Sequence, residues 1–365
     1  MGGVRIIGAG AYVPPRVISN ERIARAIPGW SAERIEEKTG IRERRFLWDF
    51  DDATGQALPP PEDAKHFFPR NGVDMAQVAL ERALAMAGVD AKELDGLFLV
   101  TCTPDRLNFS HDAMSLHHTL GMRTDAFALV LDDGCAGTPY MMDMAQRMIS
   151  AGAYKTIAVI GSAFTSSLTN REVFTSELQL APGKRPVNAY LSMYVFGDGA
   201  GAVVLRGGGR PDEGILHSLS GNEHGELVAR RGGGQLNLPY QGRMKPVEMA
   251  FVVDGYAVAR SYPTHMQHAV DGAFEKHPEL RDQVKRYYFH QPNKRLMDSY
   301  TSRAGLPEDK VACNVDRYGN TSAAGKLILL AEDLEAGRVR LGSGDLVVTA
   351  AVGANVHYAS QLIRL

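Results

Sequence analysis

Leu131-Asp132-Asp133-Gly134-Cys135-Ala136-Gly137-Thr138-Pro139-Tyr140 sets a cysteine between two glycines where an apolar strand gives way to a helix. Ala126 to Leu131 reads as a buried strand, and Tyr140 to Ile149 as a helix rich in methionine. Cys135 therefore lies near a helix N-terminus, where unpaired backbone N–H groups and the helix dipole favour a thiolate, the form that acts as a nucleophile. A buried structural cysteine is the competing reading, because a reactive thiol also needs an exposed, electropositive setting.

Around this stretch lie 365 residues, 44% hydrophobic and 22% charged, enough for two core-bearing units or one large one. A formal net charge of -2 argues against nucleic-acid binding through bulk positive charge. The three cysteines, Cys102, Cys135 and Cys313, are odd in number and lack paired metal spacing, so a reducing compartment and no zinc site are expected. The N-terminus shows no secretory pattern and no apolar run approaches the length of a membrane span; a soluble, cytoplasmic protein is expected.

Val4 to Ile7 reads as a short strand ending in a Gly/Pro turn, and Pro14-Pro15 forbid the helix that a dinucleotide fingerprint would open there. Ser19-Asn20 and Ser31 cap two helices, ending near Ala26 and Lys38. Positions 46–71 are polar and proline-rich but carry aromatic clusters, Trp48-Asp-Phe50 and His66-Phe-Phe68; a cover over a groove and a surface insertion without a role are both open. A helix from Met75 to Met86, a buried strand from Leu94 to Val100, a helix from His111 to Leu120 and a strand from Thr156 to Ile160 follow. The stretch up to Leu191 is loop-like, and the glycines of Gly197 to Leu205 precede a strand, which suits close packing rather than a phosphate cradle.

Arg206 to Glu213 marks a boundary, beyond which the order of elements repeats. His265 to Phe274 is helical, Arg286 to Phe289 a strand, His290-Gln-Pro-Asn293 a loop in the place of Cys102-Thr-Pro-Asp105, and Gly319-Asn320-Thr321 precedes a helix from Lys326 to Leu334. A further strand starts at Asp345. Two equivalent halves packed together would bring Cys135 to His290 and Asn320, since ligands collect at strand ends in α/β sheets. A thiolate can take an acyl group from a thioester, and an imidazole or a carboxamide can polarise the sulfur or donate to an oxyanion. Taken singly, His290 and Asn320 are equally well read as a core or surface histidine and a turn asparagine.

Asp133-Gly-Cys135-Ala-Gly137, Phe289-His290-Gln-Pro-Asn293 and Gly319-Asn320-Thr-Ser-Ala-Ala324 together resemble the Cys-His-Asn set of the β-ketoacyl-ACP synthase III family of the thiolase superfamily. Thr39-Gly-Ile-Arg-Glu-Arg44 and Phe196-Gly-Asp-Gly-Ala-Gly201 match the same family, and the likeness runs from about Val4 to Leu365. The resemblance implies an α/β protein with the five-layered α/β/α/β/α thiolase-like fold, built from two pseudo-equivalent halves. These are divided here as 1–206, carrying the cysteine, and 207–365, carrying the histidine and asparagine. It implies a homodimer that uses no cofactor and no metal. The implied partners are an acyl-CoA or acyl-carrier-protein thioester and a malonyl-type thioester.

By the same resemblance Cys135 is the acylated nucleophile, and His290 with Asn320 holds the malonyl thioester carbonyl while carbon dioxide leaves. Phe109 matches the aromatic that crosses the dimer interface into the neighbour's acyl pocket. Arg295, with Lys294 beside it, falls where the family presents a basic residue to the acidic carrier protein; a solvated helix face is the other reading. The C-terminal glycine-rich turn is here Gly353-Ala354-Asn355, which places Asn355 among the pocket candidates.

Departures from the family pattern bear on the substrate. Arg34 stands where initiating members place a coenzyme A grip, and no cation lies near Ser167. Asp132 and Asp133 would raise the thiol pKa unless they point away. With the long insertion at 46–71, these features point to a specialised enzyme of fatty-acid or polyketide metabolism that takes a longer or unusual acyl chain. Passage of the acyl group to an oxygen, nitrogen or sulfur nucleophile is the alternative activity, and a non-catalytic synthase subunit is a third reading.

Overall fold

In the computed structural model the repeated order of elements closes into two sheets. Residues 2–365 are described apart from positions 62, 64–65, 108, 179–182, 184–185, 189, 226, 230–247 and 249–250. Parts of the 46–71 insertion and of the loop-like stretch before Leu191 therefore lie outside the described residues.

The strands β1 (Gly3–Tyr12), β2 (Gly96–Thr101), β3 (Phe127–Asp132), β4 (Thr156–Ala163) and β5 (Gly199–Gly209) form one sheet in the order β1-β5-β4-β2-β3. The strands β6 (Gly214–Asn222), β7 (Arg286–Phe289), β8 (Leu346–Val352) and β9 (His357–Arg364) form the other in the order β6-β9-β8-β7. In the first, β5 is antiparallel to β1 and β4, and β2 is parallel to β4 and β3. The second repeats this: β9 is antiparallel to β6 and β8, and β7 is parallel to β8. A parallel bridge from Tyr287 to Val311 stands beside β7 where β3 stands beside β2.

The main helices are α1 (Gly72–Ala87), α2 (His111–Thr119), α3 (Gly137–Ser150), α4 (Gly255–Ala273), α5 (Lys294–Arg303) and α6 (Gly325–Glu335). Helices α1 and α2 cover the outer face of the first sheet, α3 and α6 lie between the sheets, and α4 and α5 cover the outer face of the second. This is the five-layered arrangement. Strand β2 is buried along its whole length and apolar up to Val100 because both faces are covered. Leu327 to Ala331 of α6 are all buried because sheets lie on both sides of it.

Close approach between layers explains two glycines that the sequence leaves ambiguous. A Cβ on Gly10 would stand 2.5 Å from the Ala83 nitrogen of α1, and one on Gly201 would stand 2.7 Å from the Leu327 Cβ of α6. Gly201 thus packs as expected. Gly8 and Gly10, expected in a turn, instead lie within the ten-residue strand β1, because paired strand backbone tolerates glycine where a helix presses on it.

Three further expectations change. Strand β3 is not fully buried: it is the last strand of its sheet, and Leu129 is 50% exposed. Helix α4 begins at Gly255, well before His265, with Asp254 accepting a hydrogen bond from the Ala257 N–H at 3.0 Å as its cap. In the insertion, Phe46 and Phe50 are buried against Ile18 and Ile23, and Arg22 ties down Asp49 and Asp52, each at 2.5 Å. Its aromatics there build core, while Phe67 and Phe68 are exposed.

Candidate active site

The topology sets each candidate side chain at an equivalent point of the two halves. Cys135 follows β3 and precedes α3, as Asn320 follows the Val311 bridge and precedes α6; His290 follows β7 directly. All three line one cleft, whose walls include Val195, Phe196, Leu227 and Val258. The described residues of the 46–71 insertion do not line it, so they do not cover this groove.

His290 is buried, its N–H donates to the Ala350 carbonyl at 2.9 Å, and its carbonyl accepts from the Tyr262 hydroxyl at 2.7 Å. Burial, with the Lys326 charge adding to it, holds its imidazole well below the usual histidine range. The ring is neutral at pH 7 and can donate one N–H. Asn320 is oriented by its own backbone: its N–H donates to the Val195 carbonyl at 2.8 Å, and its Oδ1 accepts the Ser322 N–H at 2.9 Å. With Oδ1 engaged in this way, the amide NH2 is the end suited to donate to a ligand.

Cys135 is half-buried. Burial pushes its thiol up to about 11, opposed first by the Lys326 charge and then by the Ser322 hydroxyl, whose Oγ lies 3.9 Å from Sγ. Asp133 raises the thiol further, but only as a lesser cause. Its carboxylate is turned elsewhere: Oδ2 lies 2.6 Å from Nε2 of His357, and Oδ1 accepts the Gly134 N–H at 2.6 Å. Asp132 is exposed. A second thiol, Cys102, lies with its Sγ 3.7 Å from the same Ser322 hydroxyl and is pushed up to about 12 by burial.

The remaining candidates lie off the centre. Phe109 is 85% exposed with φ 55°, and the Val130 N–H of β3 donates to the neighbouring Ser110 Oγ at 3.3 Å. Lys294 pairs with Asp298 at 2.7 Å within α5, and Arg295 Nε donates to the Glu37 carbonyl at 3.2 Å. Both follow Pro292 and Asn293, which line the cleft. Asn355 is exposed and off the lining; Val352, Gly353 and Ala354 line the cleft in its stead. That turn is closed on itself, with the Gly353 N–H donating to the His357 carbonyl at 2.7 Å. Arg34 stacks on Trp30 with its guanidinium 4.3 Å from the ring centre, and Trp30 packs on Tyr194.

Lys326, Ser322, His357 and Tyr262 escaped the sequence reading. Lys326 left one signal, a lone cation at the head of the apolar run Leu327 to Ala331. The other three are ordinary residues in their local sequence and gain meaning only from their neighbours. Among the described residues no group of three or more acidic, histidine or cysteine side chains could hold a metal ion.

Two family models match the chain: 3-oxoacyl-[acyl-carrier-protein (ACP)] synthase III over residues 131–223 and its C-terminal counterpart over residues 274–365. The β-ketoacyl-[acyl-carrier-protein] synthase III of Acidiphilium cryptum (strain JF-5) is 32% identical over 361 residues, 98% of each chain. The solved 3-oxoacyl-[acyl-carrier-protein] synthase III of Aquifex aeolicus VF5 superposes with a TM-score of 0.78 at 26% identity, covering 100% of both chains. The priming β-ketosynthase of the R1128 polyketide biosynthetic pathway gives a TM-score of 0.75 at 25% identity, over 100% of this chain and 96% of that one.

Proposed function

Because this chain belongs to the 3-oxoacyl-[acyl-carrier-protein] synthase III family, we propose that it is a condensing enzyme that joins an acyl group held on Cys135 to a malonyl-type thioester with loss of carbon dioxide. The observation that carries this reading is the meeting of Cys135, His290 and Asn320 at one apolar cleft. The Cys135 thiolate attacks the acyl thioester carbonyl, the carbon–sulfur bond to the donor breaks, and the donor thiol leaves with a proton. Neutral His290 and the Asn320 NH2 then donate to the carbonyl oxygen of the malonyl thioester. They are strongest partners for that oxygen when it carries the enolate charge, which favours departure of carbon dioxide. The enolate carbon attacks the acyl-Cys135 carbonyl, a carbon–carbon bond forms, and the thiolate is released.

Finer features belong to the same proposal. The units are 1–206 and 207–365, and two copies pair along β3, where Phe109 and Leu129 stand exposed; Phe109 then reaches the partner's acyl pocket. Lys294 and Arg295, just beyond the cleft-lining Asn293, receive an acidic carrier protein, with Lys294 exchanging Asp298 for a carrier carboxylate. A longer or unusual acyl chain suits a cleft walled by Val195, Phe196 and Leu227. Among the described residues no helix is long and apolar enough to cross a membrane, and the cytoplasm is the proposed location.

Mass spectrometry after incubation with acyl-CoA or acyl-carrier thioesters tests the first step. An adduct on Cys135 is expected; no adduct with any donor overturns the reading. Addition of malonyl-carrier protein should then release carbon dioxide and the adduct together, whereas loss of the adduct without carbon dioxide would mean transfer to a heteroatom. Asn320→Ala should lower malonyl decarboxylation by roughly 100-fold, in line with loss of one oxyanion donor, and leave self-acylation largely intact. Equal loss of both steps would contradict the assigned roles.

A further inference from the structure

Lys326 is 1% exposed in the first turn of α6, its Nζ 2.5 Å from the Cys135 carbonyl oxygen and 3.5 Å from that of Ser322. Among the described residues no carboxylate forms an ion pair with it. A buried ammonium without a counter-charge is unfavourable, and the start of a helix is the wrong end for a cation. A hydrogen bond to a carbonyl does not require a full charge, so neither contact explains why this site holds a lysine. What the site lacks is a paired anion, and the residue whose carbonyl it holds, Cys135, carries the thiol that must become one.

We propose that Lys326 is a positioning residue that supplies the counter-charge of the Cys135 thiolate, an inference that rests on reading Cys135 as the acylated nucleophile. The thiol proton passes to solvent, the sulfur lone pair bonds to the acyl carbon, and the bond to the donor sulfur breaks. Lys326 remains ammonium throughout and transfers no proton. Once Cys135 is acylated the negative charge is gone, and the ammonium polarises the Cys135 carbonyl until condensation regenerates the thiolate.

The groups around the pair are consistent with this role. Burial lowers Lys326 to about 8, while Cys135 and Asp133 act to keep it charged. Lys326 is in turn the strongest influence favouring the Cys135 thiolate. His290 cannot take its place, because burial and Lys326 itself keep that ring neutral. Asp133 opposes the thiolate but is turned to His357, and Cys102 stays protonated, pushed up to about 12. The two protons of such a pair come off as one coupled system, so the test reads differences between variants.

Alkylation of Cys135 by iodoacetamide, followed peptide by peptide against pH in the full-length protein without any acyl donor, gives the readout. Lys326→Gln keeps a donor for the Cys135 carbonyl and removes the charge. It should slow alkylation at pH 7 by roughly tenfold and move the midpoint up by about one unit, while Lys326→Arg stays close to wild type. A Gln profile that superimposes on wild type overturns the proposal. Should the lysine variants fail to fold, Cys135→Ala serves: the Lys326 Cε resonance should titrate at lower pH than in wild type, and an unchanged midpoint overturns the proposal. Neither readout needs condensation. A protein that never self-acylates but shows the Lys326 shift sinks the ketosynthase reading alone, and self-acylation with an unchanged profile sinks only the Lys326 role.

Discussion

His290 owes its chemistry to burial more than to any single partner. Its carbonyl is held by the Tyr262 hydroxyl, it lines the cleft, and after burial the Lys326 charge opposes protonation. A histidine held well below its usual range has no proton to lose between mildly acid and neutral pH. The rate of malonyl decarboxylation is therefore expected to change by less than about twofold between about pH 5.5 and 7. A steep acid limb with a midpoint near the ordinary histidine value would show that His290 works as an imidazolium. Cys135 is the opposite case. Its flanking glycines and its place before α3 are legible in the sequence, yet the balance on its sulfur is set by burial, which raises the thiol, against Lys326 and Ser322 from far along the chain, which lower it. The concern raised by Asp133 is answered only in space, by the Nε2 of His357 at 2.6 Å.

At the scale of elements, the central helices determine how near the two halves come. Helix α6 lies against β5 so closely that Gly201 has room for hydrogen alone, with Leu327 Cβ and the Ile328 nitrogen 2.7 and 2.9 Å from where a side chain would begin. Gly201→Ala should destabilise the fold by about 1–3 kcal/mol through overpacking, measured by chemical denaturation. Because α6 also carries Lys326, the same change should slow Cys135 alkylation at neutral pH; a variant as stable and as reactive as wild type would show that the layers yield. Elements with strong periodicity, such as α1, match their sequence reading where the stop signal is plain: Gly88 ends α1 as read, while its start lies at Gly72, three residues before Met75, with Asn71 as its cap. The misread ones share a cause. Strand β1 keeps its glycines, α4 extends past Pro263, and Phe46 and Phe50 enter the core, because a packed neighbour overrides local turn and linker signals.

For the whole molecule, the open question is what covers β3. Leu129 is 50% exposed, Met114 on α2 51% and Phe109 85%. An unpaired strand edge with exposed apolar side chains beside it is a template for pairing with a second chain. Sedimentation should give twice the chain mass, and Leu129→Lys should shift the protein toward monomer and lower self-acylation through loss of Phe109 from the partner's pocket. A wild-type monomer with full activity would contradict both roles. The sequence by itself determined the α/β class, the repeated element order and the family likeness, and it singled out Cys135, His290 and Asn320 as residues to be sought together, since these rest on local patterns of apolar residues, glycines and motif spacing. Only the tertiary structure decided the charge environment of the thiol, the closed Gly353 turn, the burial of Phe46 and Phe50, and the open edge of β3. Each of those depends on which distant residues meet, as Lys326 meets Cys135 across 191 positions of chain, and on how much water their packing excludes.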